Sequence, residues 1–280
     1  METRPFGKTE QNVSVIGLGG EGVLRTFGRE NEAHLVIREA LNQGITYFDS
    51  ARVYSDSELY YGSLWRQNRS LRQSIFQTSK SASRRKKEAL ADLASSLKRL
   101  QTDYLDLWQI HDIRTEKDFD VISGPDGALE AFVKAKEKGM VRYIGVTGHH
   151  DPHILTRAVN EWPVDSVLFP VNPVEEIIGG FTTHTLQAAQ KKGIATIGMK
   201  LLGGSHYIFQ QYGITPELLI RYSFSFDISL SVVGCATPGE VQLLASLVKN
   251  RTPLSDLEKE HFTAIFKPNA ARFAFYRGVK

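Results

Sequence analysis

The sequence predicts a (β/α)8 barrel, and three observations carry that prediction. Short apolar, β-rich runs alternate strictly with amphipathic stretches, and there are eight such pairs. Three successive runs then close on a side chain able to do chemistry: Asp49, Lys80 and His111. A parallel strand that ends in a functional residue is how such a barrel presents catalysis at its C-terminal face.

In chain order, residues 4–13 read as a small hairpin placed to cap the lower end of the barrel. Strands are expected at 13–17, 46–49, 75–78, 105–110, 143–147, 166–171, 195–199 and 229–234. Helical stretches lie between and after them at 32–43, 57–67, 84–100, 127–138, 152–160, 183–192, 216–224 and 238–248. One additional helix follows at 255–266. Pro152, Pro216 and Pro238 suit first-turn positions behind the N-cap residues Asp151, Thr215 and Thr237. The pairs Gln43-Gly44, Lys138-Gly139 and Lys192-Gly193 end helices with a polar or basic residue and then a glycine. No linker, low-complexity tract or long charge block interrupts the series, so a single domain over residues 1–280 is expected.

Composition bounds the function classes. With 41% hydrophobic and 23% charged residues the chain is near the globular average, and it can build a core without a disulfide or metal staple. The lone Cys235 has no internal partner, which fits a reducing compartment. A net charge of +3 is too small to argue for nucleic acid. The N-terminus has no apolar h-region, and no apolar run approaches the roughly 20 residues of a membrane span. A soluble, cytoplasmic protein is expected, with a small molecule as partner rather than nucleic acid or membrane.

The residues at the strand ends point to a reaction. An acid (Asp49), a phenol (Tyr54), an amine (Lys80) and an imidazole (His111) delivered to one rim can polarise a carbonyl and hand it a proton. Phe48-Asp49-Ser50-Ala51, with Tyr54 five residues after the aspartate, then Lys80 and His111, resembles the motif of the aldo-keto reductase family, and the resemblance runs over essentially the whole chain. It implies hydride transfer between a nicotinamide cofactor and a carbonyl or alcohol substrate. Tyr54 would be the proton donor, Lys80 its electrostatic partner, Asp49 the anchor of the lysine, and His111 the residue that orients the carbonyl oxygen. Hydride can add to carbon only if charge growing on oxygen is stabilised. An ammonium next to a phenol, which ordinarily titrates near pH 10, is expected to lower its pKa. A non-catalytic regulator that binds a nicotinamide nucleotide on the same fold is the alternative.

The cofactor residues follow from the same resemblance. Gly17-Leu18-Gly19-Gly20-Glu21-Gly22 formally matches a dinucleotide fingerprint, but that motif needs a helix to open immediately, and helical periodicity starts only near Glu32. It reads instead as a flexible first βα loop, in which Gly19 and Gly20 let the backbone approach a cofactor. Val146-Thr147-Gly148 is similar to the family's Val-Ser-Asn, which implies that Thr147 holds the nicotinamide carboxamide while His149 compensates for the amide missing at Gly148. Leu168 stands at the family's Gln position, ahead of Asn172. Met199 stands where many members stack a tyrosine on the nicotinamide, replacing the ring with a thioether. Lys200, Leu202 and Gly204 follow, in a loop suited to fold over the pyrophosphate. The segment from Gly234 through Thr237 to Leu244 is similar to the adenosine-phosphate segment. The family implies NADP(H), but Glu240 replaces an arginine found in NADP(H)-selective members, and a carboxylate beside a 2′-phosphate is repulsive, so NAD(H) is also possible. Lys249 and Arg251 are the nearest other cations and read as solvated.

Three further signals are read as structural. His149-His150-Asp151-Pro152-His153 is not taken as a metal site, because Asp151 reads as a helix cap, and no metal is expected. Arg84-Arg85-Lys86-Lys87 reads as the solvated start of a helix. Phe273, Phe275 and Tyr276 read as a tail docked on the barrel.

Overall fold

The computed structural model describes residues 1–250, 252 and 254–278, so Arg251 lies outside the described residues. A two-stranded antiparallel hairpin, β1 (Thr3–Pro5) and β2 (Asn12–Ser14), precedes the barrel. The barrel strands are β3 (Ile16–Gly22), β4 (Tyr47–Phe48), β5 (Phe76–Ser81), β6 (Leu105–Ile110), β7 (Val141–Thr147), β8 (Ser166–Pro170), β9 (Ala195–Met199) and β10 (Leu230–Cys235). They pair in sequence order, all parallel, and β10 pairs with β3 to close the ring. Helices connect successive strands around the outside, as the alternating pattern predicts.

Inside the ring, Tyr47, Phe76, Leu107, Leu168, Ile197, Leu230 and Val232 pack into one cluster. The hairpin contributes Phe6 to it from below. The Phe6 ring is fully buried, with its centroid 4.8 Å from that of Phe76 and 6.1 Å from that of Tyr143. This ring fills the lower mouth of the barrel, opposite the C-terminal face where such barrels carry their sites. The larger core lies between the strands and the outer helices and includes Val36, Leu93, Phe132 and Leu155.

The boundary signals act as the sequence suggests. Asp151, Thr215 and Thr237 accept hydrogen bonds from the backbone N–H groups of His153, Leu218 and Glu240, each ahead of a first-turn proline. Gly44, Gly139 and Gly193 take positive φ at helix ends, where a side chain would be strained. The additional helix is Asp256–Phe266, opened by a Ser255–Glu258 capping box, and a short helix, Ala270–Phe273, follows it. The half-buried Phe273 at its end and the buried Tyr276 beyond it dock the tail, while Phe275 stays exposed.

Some expectations are corrected. Val13 belongs to the hairpin, paired with Arg4, and the first barrel strand runs from Ile16 through the glycine-rich segment to Gly22. That segment is therefore a strand and not a flexible loop. Its glycines are required by close packing: a Cβ on Gly19 would lie 2.9 Å from the Gly234 backbone nitrogen across the β3–β10 seam. The expected 183–192 helix divides into a π-helical turn, Phe181–Thr185, and Leu186–Lys192. Helices Arg69–Gln73, Glu116–Ser123 and Pro173–Ile178 are further elements in the connections. Among the described residues no helix is long and apolar enough to cross a membrane.

Candidate active site

A cleft of about 930 Å³ opens at the C-terminal face. Asp49 follows β4, Lys80 is the penultimate residue of β5 and His111 follows β6, so three adjacent strands bring them to one arc of the rim. Strand β5 runs one residue past Lys80, which is therefore held inside the ladder rather than at its end. The Lys80 ammonium donates to Asp49 Oδ2 at 2.6 Å and to the Ser50 carbonyl at 2.8 Å, and both charged side chains are buried. The Thr78 hydroxyl donates to the other carboxylate oxygen of Asp49 at 2.9 Å, so the acid cannot swing away from the lysine.

Tyr54 lies in the turn ahead of helix Ser57–Gln67, and its own backbone N–H donates to the Ala51 carbonyl at 3.0 Å. The Lys80 ammonium stands 4.8 Å from the centroid of its ring, and the His111 ring meets it edge-on at 5.6 Å. On another side the ring rests against Gly20, where a Cβ would come within 2.5 Å of it. The Arg25 guanidinium, ion-paired with Glu21, sits 4.9 Å from the same centroid. All four predicted catalytic residues line the cleft together.

Electrostatics set the protonation states. Burial pulls the Lys80 pKa down, but Asp49 and Tyr54 together outweigh it, and the amine ends above its ordinary value and charged. Burial is also the largest influence on Tyr54. It pushes the phenol above its usual pKa even though the Lys80 charge acts in the opposite direction. The lowering expected from the sequence is thus overridden by desolvation, and the phenol is neutral at physiological pH. Burial, reinforced by Lys80, holds the His111 pKa well below the usual imidazole value, so the ring is neutral as well. Its Nδ1 is buried and has no hydrogen-bond partner among the described residues.

The opposite arc of the rim is built differently. Gly19, Gly20, Thr147, Leu168, Met199, Lys200, Leu202, Gly204 and Gly234 line the cleft. The Thr147 hydroxyl accepts from the Asp112 N–H at 2.8 Å. His149 also lines the cleft, with Nδ1 3.1 Å from the Tyr276 carbonyl and Nε2 3.1 Å from Asp112 Oδ1, an oxygen that has no hydrogen-bond partner among the described residues. Asn172 and Thr237 do not line the cleft. Asn172 is fully buried, caps helix Pro173–Ile178 and donates to the Tyr276 hydroxyl at 3.0 Å. Thr237 caps helix Pro238–Lys249. Glu240 lines the cleft and accepts from the Ala236 N–H at 2.7 Å, whereas Lys249 lies at the far end of that same helix.

Sequence reasoning missed several cleft residues, chief among them Arg84. It is no solvated cation: its guanidinium donates to the carbonyls of His111 and Asp112 at 2.8 and 2.7 Å and pairs with Asp118, bracing the loop that follows β6. Its place four residues past Lys80, in a loop at the C-terminal face, was the available signal. Among the described residues, no group of three or more His, Cys, Asp or Glu side chains is placed to hold a metal.

Fold and rim together define a (β/α)8 barrel with a candidate active site at its C-terminal face. A profile of the Aldo/keto reductase family matches residues 15–212, and the chain belongs to that family. It is 28% identical over 184 residues to "Uncharacterized oxidoreductase YqkF" of Bacillus subtilis, over 60% of this chain and 55% of that one. It is 32% identical over 162 residues to the L-galactose dehydrogenase of Arabidopsis thaliana, over 53% of this chain and 49% of that one. These two matches thus span about half the length of each relative. With the methylglyoxal reductase DkgA of Yersinia pestis it shares 28% identity over 232 residues, 80% of each chain. The holo structure of aldo-keto reductase AKR11C1 from Bacillus halodurans superposes with a TM-score of 0.77 over 95% of this chain and 96% of that one, at 21% identity.

Proposed function

We propose that this protein transfers a hydride between a nicotinamide cofactor and the carbonyl or alcohol group of a small molecule, with Tyr54 as general acid. The observation that carries this reading is the buried Lys80–Asp49 pair at 2.6 Å, set against the ring of a neutral Tyr54 with neutral His111 alongside. A dinucleotide fits the cleft's character. Its volume is at the upper end of the roughly 300–1,000 Å³ of small-molecule sites. Gly19, Gly20, Gly204 and Gly234 leave its wall free of side chains, and Thr147 supplies a hydroxyl. Those residues would hold the nucleotide, with Met199 on the nicotinamide side.

When bound, the nicotinamide nucleotide supplies or accepts the hydride. The protein manages the proton. In the reducing direction the Tyr54 O–H donates to the carbonyl oxygen as charge develops there, and the O–H bond electrons stay on Tyr54 as a phenolate. The Lys80 ammonium stabilises that phenolate, and Asp49 keeps the lysine charged and aimed. A ring nitrogen of His111 orients the carbonyl oxygen. Glu240 disfavours a 2′-phosphate, so NAD(H) is proposed to bind at least as well as NADP(H). The names of two relatives, a methylglyoxal reductase and an L-galactose dehydrogenase, suggest small aldehydes and sugars as the first compounds to try.

The alternative, a nucleotide-binding regulator without turnover, is favoured by Gly148 and Leu168, which offer no side-chain amide to the carboxamide. Oxidation of NADH and NADPH followed at 340 nm against a panel of aldehydes separates the two. Aldehyde-dependent oxidation supports the reductase. Nucleotide binding with no turnover across the panel supports the regulator.

A further inference from the structure

Tyr54 sits in a turn whose next residue is strained. Ser55 takes φ +44°, in the left-handed region that favours glycine, so more than local preference must hold the turn. The Arg99 guanidinium supplies such a hold. Its Nη2 donates to the Ser55 carbonyl at 2.6 Å and stands 3.8 Å from the Asp56 carboxylate. Its Nε donates at 3.1 Å to Oε2 of Glu58, a buried carboxylate in the first turn of helix Ser57–Gln67. The other oxygen of Glu58 accepts from the buried Ser79 hydroxyl at 2.6 Å.

Ser79 directly precedes Lys80 in β5. Strand alternation turns Lys80 toward the cleft and Ser79 outward, toward the helices. The chain of contacts from Ser79 through Glu58 and Arg99 to the Ser55 carbonyl therefore ties the turn of the phenol to the strand of the ammonium from behind. Ahead of Tyr54 the Arg52 N–H donates to the Lys80 carbonyl at 3.0 Å, and Arg99 fastens the turn just after it. Arg99 is itself firmly placed as the penultimate residue of helix Lys86–Leu100. That helix packs so closely on Gly62 that a Cβ there would collide with the Arg99 carbonyl oxygen. None of Arg99, Glu58 and Ser79 lines the cleft, so any effect they have on the reaction passes through the turn.

We propose that Arg99 is a positioning residue which, through Glu58 and Ser79, sets Tyr54 against Lys80, a role that rests on Tyr54 being the general acid proposed above. Bonds from one planar guanidinium to a carboxylate and to a carbonyl fix direction as well as distance, and a lysine ammonium cannot copy that fork. Arg99→Lys thus keeps a counter-charge for Glu58 while losing the geometry. Its kcat for aldehyde reduction should fall by about tenfold or more, with the urea midpoint and NADH affinity close to those of the wild type. Introduced into Tyr54→Phe, the same change should alter kcat by less than about twofold, because its effect passes through the phenol. In protein labelled with fluorotyrosine, the fluorine NMR resonance of Tyr54, assigned by its loss in Tyr54→Phe, should move in Arg99→Lys. That of Tyr47, at the lower end of the barrel, should stay.

A kcat within about twofold of the wild type, a loss of the same size in both backgrounds, or an unmoved Tyr54 resonance overturns the proposal. A general effect on folding would lower the urea midpoint and act equally in the two backgrounds. If the wild type reduces no aldehyde, the reductase reading fails separately, and the Tyr54 resonance alone decides whether Arg99 sets the ring. If Arg99→Lys does not fold, Ser79→Ala cuts the link at its β5 end, leaves the ion pair intact and is read by the same criteria.

Discussion

The two arcs of the rim are built on opposite principles. Between β4 and β6 the site is made of side chains, each locked to another: Asp49 to Thr78 and Lys80, Lys80 to Ser50, Tyr54 wedged between Gly20 and the lysine, and the backbone around His111 braced by Arg84. Between β7 and β3 the wall is mostly glycine and apolar side chain, with Thr147, His149, Lys200 and Glu240 as scattered polar members. Proton transfer depends on positions held to fractions of an ångström and on charges whose desolvation is compensated, so it requires interlocked side chains. Gripping a long nucleotide depends mainly on room and exposed backbone, which many sequences provide. The first arc is consequently specific and the second permissive.

That contrast can be broken by experiment, beginning where the effect should be largest. Asp49→Asn leaves Lys80 buried without its counter-charge. Global stability by urea denaturation should fall by about 3 kcal/mol, as when one partner of a buried pair is removed, with most turnover lost as well. Gly20→Ala places a methyl within 2.5 Å of the Tyr54 ring and must displace it. Turnover should drop by about 100-fold, the usual consequence of moving a catalytic group by an ångström, with the far-UV spectrum unchanged. Near-normal turnover in that variant would show that Tyr54 need not sit where it does.

On the permissive arc the changes should be smaller. Glu240→Gln removes an exposed charge, and the NADPH dissociation constant should tighten relative to that of NADH by about fivefold, the worth of roughly 1 kcal/mol. No change in that ratio would place the 2′-position of the ribose away from Glu240. The pH profile probes the first arc without mutation. An acid must be protonated to act, and burial raises the Tyr54 pKa. Carbonyl reduction should therefore hold level from neutrality up to the ordinary phenol value of 10.0 and fall only above it, while alcohol oxidation rises over that upper range.

Legibility in the sequence follows the same division. Three of the four proposed catalytic residues were readable from strand ends, Asp49 and His111 just after β4 and β6 and Lys80 one residue before the end of β5, whereas Tyr54 follows Asp49 across a tight turn. Helix starts were readable from cap-plus-proline pairs. The same signature stands at Asn172-Pro173, where the structure adds a cap that the sequence reading left out: Asn172 opens helix Pro173–Ile178. Strand β3 was misplaced because a glycine-rich strand carries little apolar pattern, and its register is set by the packing of Gly19 against β10 and Gly20 against Tyr54. Arg84 was misread because a run of four cations looks solvated until the fold turns one of them toward backbone carbonyls 27 and 28 residues away. The burial that lifts the Tyr54 pKa is a tertiary property that local sequence does not reveal.

The central claim is that Tyr54 gives the proton while the rest of the site holds the ligands, and Tyr54→Phe tests it most directly. In that variant kcat for aldehyde reduction should fall by about 10²–10⁴-fold, the usual range for a general acid. NADH affinity should stay within about twofold of the wild type, since only an interaction made in the transition state is lost. Turnover within about threefold of the wild type would contradict the account and move the proton donor elsewhere on the rim.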